Sequence, residues 1–257
     1  MYINMKRFIL NFVKTNLLLA ATAFTLMSCE KKPTPKVDDP TVTPPVVETK
    51  FVVSYKDVIL GNQNNNTIGQ FFKTQNGEVV SIENAFLQQG YMSMVFFTEY
   101  GNNRIFLTFP ANAYSESFSK EDETNNLFDR PSVGINYWQA SNLNSGEVKL
   151  AGTMDKDMKK NEFDALASSL NWKEFDTKFK EYNSGDGDLS FTAKSITPDV
   201  GSVYMVQLNN TIRAFIYIKN LSPGGASGGT LKFDIVIEGG GDYSNDPSTR
   251  RVAPSKD

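Results

Sequence analysis

From Phe51 onward the chain is written in short runs of β-branched and aromatic residues broken by Asn and Gly, and that rhythm restricts the fold more than any other feature. Such runs suit a pleated surface. Without regularly interspersed helices they argue for antiparallel sheets. Val52 to Leu60 reads as an opening strand, followed by the turn-rich stretch Gly61-Asn62-Gln63-Asn64-Asn65-Asn66. Ile68 to Thr74 and Glu78 to Ile82 flank Asn76-Gly77, both of which tolerate the positive φ of a tight hairpin. Tyr91 to Tyr100 and Arg104 to Phe109 repeat the pattern across Gly101-Asn102-Asn103, and Val133 to Trp138 and Glu147 to Ala151 read as further strands. Val203 to Leu208, Ile212 to Ile218 and Leu231 to Ile237 close the domain, with Asn209-Asn210 as a tight turn and a Gly-rich loop from Pro223 to Gly229.

Helical signals are fewer. Ser81 to Gln89 predicts a short helix stopped by Gly90. Between Met154 and Tyr182, Phe163, Leu166, Ala167 and Leu170 recur at helical spacing, Asn171 breaks the run with Glu174 three residues on, and Trp172, Phe175, Phe179 and Tyr182 form a second face. Two helices packed on a sheet account for this pattern. The acidic, Asn-rich stretch from Pro110 to Arg130 reads as a long surface loop. The expected fold is therefore a mainly β, α+β domain over 51–239, built of antiparallel sheets that can form a two-layer sandwich, with a helical insertion near 154–182. Residues 240–257 read as a disordered tail.

Two absences narrow the chemistry. The sequence of 257 residues contains no histidine, which excludes Ser-His-Asp and Cys-His catalysis and His-ligated zinc. Its single cysteine, Cys29, excludes an intramolecular disulfide and any Cys-clustered metal site. Burial alone must hold the domain, and a chain of about 190 residues can remove roughly 70% of its unfolded surface from water. Against 26 Lys+Arg stand 29 Asp+Glu; without residues 1–28, which hold Lys6, Arg7, Lys14 and no acid, the net charge falls to about −6. That sign argues against a nucleic-acid partner.

The N-terminal residues read as an address. A basic stretch is followed by the ten-residue apolar run Leu17 to Leu26, a secretory layout in which either Met1 or Met5 can be the start. Ten helical residues span about 15 Å, half of a bilayer's hydrocarbon core, so a permanent membrane helix is not expected. The run ends in Leu26-Met27-Ser28-Cys29, which resembles the lipobox of bacterial lipoproteins. The resemblance implies cleavage before Cys29, a diacylglyceryl group on its thiol and acylation of the new amino terminus, so that the membrane is a partner through lipid at about 0.8 kcal/mol per buried methylene. Residues 30–50, with Pro33, Pro35, Pro40, Pro44 and Pro45, read as an extended tether of up to about 65 Å. Glu30 is a short version of the acidic cluster that follows the cysteine in surface-exported lipoproteins of the Bacteroidota. Outer membrane is the expected location, with the cell surface favoured over the periplasmic face. The strand rhythm of 51–239 also loosely resembles uncharacterised cell-surface lipoproteins of that phylum, which implies no catalytic residue.

Within the domain nothing selects a catalytic centre, a cofactor or a metal. Gly224 to Thr230 is glycine-rich but leads into a strand and lacks the lysine of a phosphate cradle. Asn183 to Asp188 lacks the terminal Glu of a calcium loop. Glu116, Glu121, Asp122 and Glu123 cluster in the long loop, but no two are singled out as a glycosidase pair. Tyr137 and Trp138 are candidate ligand-binding residues, since flat aromatic faces stack on sugar rings, although large aromatics more often pack cores. The favoured expectation is a non-enzymatic binding or interaction module for a glycan or an envelope protein. The alternatives are a carboxylate-dependent glycoside hydrolase and a subunit of a surface fibre or secretion assembly that exchanges a strand.

Overall fold

The chain divides into two units, 1–46 and 47–257. The computed structural model describes residues 50–63, 65–98, 104–115, 130–152, 157–183, 191, 193–222, 224 and 228–239, all in the second unit. The leader, Cys29, nearly all of the tether, the turn at 101–103, the acids at 116 and 121–123, most of 183–188 and the tail from 240 lie outside the described residues.

Two five-stranded sheets, antiparallel throughout, make up the domain. The first contains β1 (Phe51–Gly61), β6 (Gly146–Leu150), β8 (Val203–Leu208), β9 (Ile212–Ser222) and β10 (Thr230–Gly239) in the order β1-β10-β9-β8-β6. The second contains β2 (Phe71–Phe72), β3 (Val79–Val80), β4 (Met94–Thr98), β5 (Ile105–Thr108) and β7 (Ser195–Ile196) in the order β3-β2-β4-β5-β7. Four helices accompany them: α1 (Ile82–Phe86), α2 (Pro110–Ser115), α3 (Lys160–Ser169) and α4 (Trp172–Asn183).

Strand parity explains how the sheets meet. Leu231, Phe233, Ile235 and Ile237 of β10 alternate with Lys232, Asp234, Val236 and Glu238, and the first set faces Ile212, Ala214, Ile216 and Ile218 of β9 in one buried cluster. Phe72, Met94, Phe96, Ile105 and Leu107 from the second sheet complete that cluster, so the sheets form a sandwich. The sandwich has more than two layers. On the outer side of the first sheet, Val203, Met205, Phe215 and Val236 pack against Phe163, Leu166, Phe175, Phe179 and Tyr182 of α3 and α4. On the outer side of the second, Phe71, Val95, Phe97 and Phe106 are covered by Ala85, Ala113, Ile135, Trp138 and Leu143. With both faces buried, a strand such as Met94-Val95-Phe96-Phe97 reads as a continuous apolar run without alternation.

The sheets' edges are blunted. In β1 a bulge between Tyr55 and Val58 inserts the exposed residues Lys56 and Asp57, and Asp57 (φ 55°) pairs with Lys219 and Lys232. β6 is bridged by Val148 to Ala193, and the outer strands of the second sheet, β3 and β7, have two residues each.

Several expectations change in detail. The two helices expected near 154–182 form and part at Asn171 as expected, but α3 begins only at Lys160; Leu170 (φ 49°) turns the chain, and Asn171 Oδ1 accepts from the N–H groups of Lys173 at 2.9 Å and Glu174 at 3.4 Å to cap α4. Leu170 is therefore exposed at the bend and does not share the α3 face. Val133 to Trp138 is not a strand. Ile135–Tyr137 is a 3-10 turn, whose three-residue period puts Ile135 and Trp138 on one buried side and Tyr137 outside. Pro110 begins a helix, with Asn112 Nδ2 donating to the carbonyls of Gly146 at 2.8 Å and Lys194 at 3.1 Å. The Asn76-Gly77 hairpin forms as expected, Phe71 opposite Val80 and Phe72 opposite Val79, with Gly77 at φ 76°.

Candidate functional site

The best-formed concave site lies where β1 ends. Its walls are the loop Gln63 to Gln70 on one side and Ser81 to Glu83 on the other, with Arg130 at the rim, around a cavity of about 230 Å³. Local chemistry fixes the loop. The Gly61 and Asn62 N–H groups donate to the carbonyls of Gly69 at 2.8 Å and Gly229 at 2.9 Å. Asn65 Oδ1 accepts from the Thr67 N–H at 3.1 Å, its hydroxyl at 3.0 Å and the Ile68 N–H at 2.9 Å, folding the turn round one side chain. Gln63 acts as a piece of strand: Oε1 accepts from the Thr98 N–H at 2.9 Å and Nε2 donates to the Thr98 carbonyl, extending the ladder beyond β4. Gly69 passes so near β3 that a Cβ would lie 2.4 Å from the Val80 carbonyl carbon.

Gln70 forms the floor. It is buried, and its Nε2 donates to the carbonyls of Asn65 at 2.9 Å, Ile68 at 3.0 Å and Asn62 at 3.3 Å, while Oε1 accepts from the Ile82 N–H at 3.2 Å. A side chain so fully bonded shapes the site and has little capacity to bind anything else. The rim differs. Arg130 reaches Glu83 through one terminal nitrogen, and the side chain of Asn66 is exposed. Glu83's carboxyl is held below the ordinary range, first by its own backbone N–H, then, against a modest opposing effect of burial, by the Ser81 hydroxyl and Arg130. It is an ionised carboxylate at neutral pH and, among the described residues, the one carboxylate lining the cleft. A general acid would need the opposite shift and a facing partner.

Tyr137 and Trp138 do not form a shared face. Trp138 is 3% exposed, stacks on Phe71 at 5.0 Å between centroids and donates Nε1–H to the Val133 carbonyl at 2.8 Å. It belongs to the core, whereas Tyr137 is 54% exposed and stands by itself on the far side of the turn. Trp172, the other tryptophan, donates to Glu238 at 3.1 Å, with Lys50 over its ring at 4.8 Å.

A second depression of about 390 Å³ lies between α3 and α4, walled by Ala165, Leu166, Thr177 and the stems of Lys173 and Lys178. Although larger, it is an open apolar shelf. Glu162, its best-placed polar group, already accepts from Tyr182 at 3.0 Å and Lys178 at 3.1 Å to tie the helices together. Among the described residues no group of three or more acids or cysteines could hold a metal ion, and no helix is long and apolar enough to cross a membrane. The cleft residues Gln63, Asn65, Asn66, Gln70 and Arg130 are not singled out by the sequence; its one signal for them is the density of amide side chains between Asn62 and Asn66.

No family model, no curated protein and no solved structure matches this chain.

Proposed function

We propose that the protein is a lipid-tethered, non-catalytic binding module of the outer membrane, presenting the cleft at the end of β1 to a ligand of the envelope or its surroundings. The lipobox-like Leu26 to Cys29 and the Pro-rich residues after it carry the tether half of the reading. One observation carries the other half. Lys50 enters β1 at one pole of the domain, and the cleft begins with Gln63, just beyond Gly61 at the opposite end of the eleven-residue strand. At about 3.3 Å per residue the two are separated by roughly 30 Å. Because Phe51 pairs with Gly239 and Gly61 with Thr230, the described chain also leaves from the entry pole. The point where the described chain begins and the cleft thus lie at opposite ends of β1.

The alternatives draw less support. A carboxylate-dependent hydrolase needs two facing acids, and among the described residues the cleft offers Glu83 alone. Strand exchange in a fibre needs an open apolar edge, and the described edges carry a charged bulge, a bridge or two-residue strands.

Two measurements test the proposal. Intact-mass analysis of protein taken from the producing cell is expected to show a mature chain starting at Cys29 with acyl mass on it; a free thiol or a retained leader refutes the tether. Protease treatment of intact cells is expected to cut the protein, and complete protection refutes outward display.

A further inference from the structure

The rim of the cleft is chemically selective. Resting on the reading of the cleft as the ligand seat, we infer that it takes one neutral saccharide unit, bound by hydrogen bonds from the rim above a polar floor that is already satisfied. Charge is the first argument. Among the described residues that line the cavity only Arg130 and Glu83 are charged, and they pair with each other. Each charge is already neutralised by the other, so an anionic ligand meets Glu83 beside the guanidinium and a cationic one meets Arg130 beside the carboxylate, whereas a neutral ligand meets neither repulsion.

Hydrogen-bonding capacity is the second argument. With Gln70 and the Asn65 Oδ1 committed, the unused capacity lies at the Asn65 Nδ2 donors, the Asn66 amide, the acceptor lone pairs of the Thr67 and Ser81 hydroxyls and the remaining N–H groups of Arg130. Donors and acceptors thus stand side by side, which is what a vicinal pair of sugar hydroxyls requires, each being both. Ile68 and Ile82 add the limited apolar surface that the C–H face of a ring can cover. Size is the third. At about 230 Å³ the cavity falls short of the roughly 300–1,000 Å³ of sites that enclose a whole drug-sized ligand, so it holds one unit of a longer chain and not an oligomer.

The test uses the full chain in detergent and three immobilised panels: neutral saccharides, uronic-acid or sulfated saccharides, and peptides. Thr67→Trp fills the cleft, Asn66→Ala trims an exposed rim amide, and Arg130→Met removes the rim guanidinium together with its ion pair to Glu83. Neutral saccharides are expected to be retained by the wild type and lost by Thr67→Trp. Asn66→Ala is expected to weaken binding roughly two- to tenfold, as deletion of one neutral hydrogen bond does, and Arg130→Met roughly ten- to hundredfold, as deletion of one from a charged group does. Should Thr67→Trp fail to fold, the two rim variants decide. Cleft-dependent capture of only acidic saccharides, or only of peptides, overturns the inference while leaving the cleft as the ligand seat. Retention of neutral saccharides that no cleft variant reduces, or no retention in any panel, overturns the inference and the seat together.

Discussion

Replacing Arg213 by Met removes the charge that ties the first sheet to α4. Its Nε donates to Glu238 Oε2 at 2.6 Å, Nη2 to Oε1 at 3.0 Å and Nη1 to Asp176 at 2.8 Å, the two-pronged geometry that makes arginine–carboxylate pairs strong. The three side chains are 18%, 9% and 16% exposed, so the group is largely cut off from water. Breaking a buried pair from one side costs about 3–5 kcal/mol. Here each carboxylate keeps a lysine, Lys50 at 3.7 Å from Glu238 and Lys180 at 2.7 Å from Asp176, which places the expected loss near the low end, about 3 kcal/mol. For a domain of this size that corresponds to a melting temperature lower by roughly 6–12 °C. Glu238→Gln should cost a similar amount, and the double variant less than the two singles together, because a neutral amide no longer needs the guanidinium. Acid provides a second readout. Burial pushes the Glu238 carboxyl up, but hydrogen bonds from Arg213 and Trp172 and the charges of Arg213 and Lys50 outweigh it and hold it below its ordinary value. A folded-state value below the unfolded one means stabilisation that is complete above the unfolded value and lost as pH falls through the folded one. The wild type should therefore lose more stability between about pH 5 and pH 3 than Glu238→Gln does. Urea titrations followed by circular dichroism at several pH values supply both numbers. An Arg213→Met loss under about 0.5 kcal/mol, the range of ordinary surface changes, or strict additivity in the double variant would refute the reasoning.

Other expectations follow from single sites. Trp138→Ala should cost about 3–5 kcal/mol in urea unfolding, as truncation of a buried aromatic does, while Tyr137→Ala should stay within about 0.5 kcal/mol; equal effects would contradict the division between them. Gly77→Ala should destabilise by more than about 1 kcal/mol, since a Cβ there would lie 2.4 Å from the Tyr55 ring at φ 76°, and an unchanged midpoint would show that the turn relaxes freely. Hydrogen bonds from Lys219 and Lys232 hold the Asp57 carboxyl at about 2, against a weaker opposing effect of burial. NMR titration should find it there and find Lys219→Met moving it up towards 3.8; a titration already near 3.8 in the wild type would mean that the bulge is not ion-paired in solution.

How far the fold can be read from the sequence depends on where each residue's partners lie. β1, β8, β9 and β10 are legible because each carries enough β-branched and aromatic residues for the pattern to survive inside one segment. The break at Asn171 is legible for the same reason, since a cap acts on backbone two and three residues away. β7 is not: Ser195-Ile196 is placed by pairing with Leu107 and Thr108, whose hydroxyl donates to the Lys194 carbonyl at 2.7 Å, a contact between residues 86 apart in the sequence. Val133 to Trp138 carries strand-like residues, but the turn from Arg130 to Gly134 feeds a 3-10 geometry that local preference does not reveal. The cleft is the least legible part. Its floor comes from the residue before β2, one wall from the start of α1 and its rim cation from position 130, so no single segment looks like a site. Tyr137 and Trp138, adjacent in sequence and alike in chemistry, are sent to opposite sides by one turn.

The place of β10 between β1 and β9 has a consequence for how the domain is made. The first strand to be synthesised waits for the last, since Phe51 meets Gly239 and cannot do so until almost the whole chain exists. Such distant pairing makes folding slow and late, because closing the intervening loop precedes any gain from the contact. A message truncated a dozen codons before residue 239 would leave two strands without their shared neighbour, and with them a row of unsatisfied amides beside open hydrocarbon. Quality control in the producing cell should then treat chains truncated into β10 as unfolded protein.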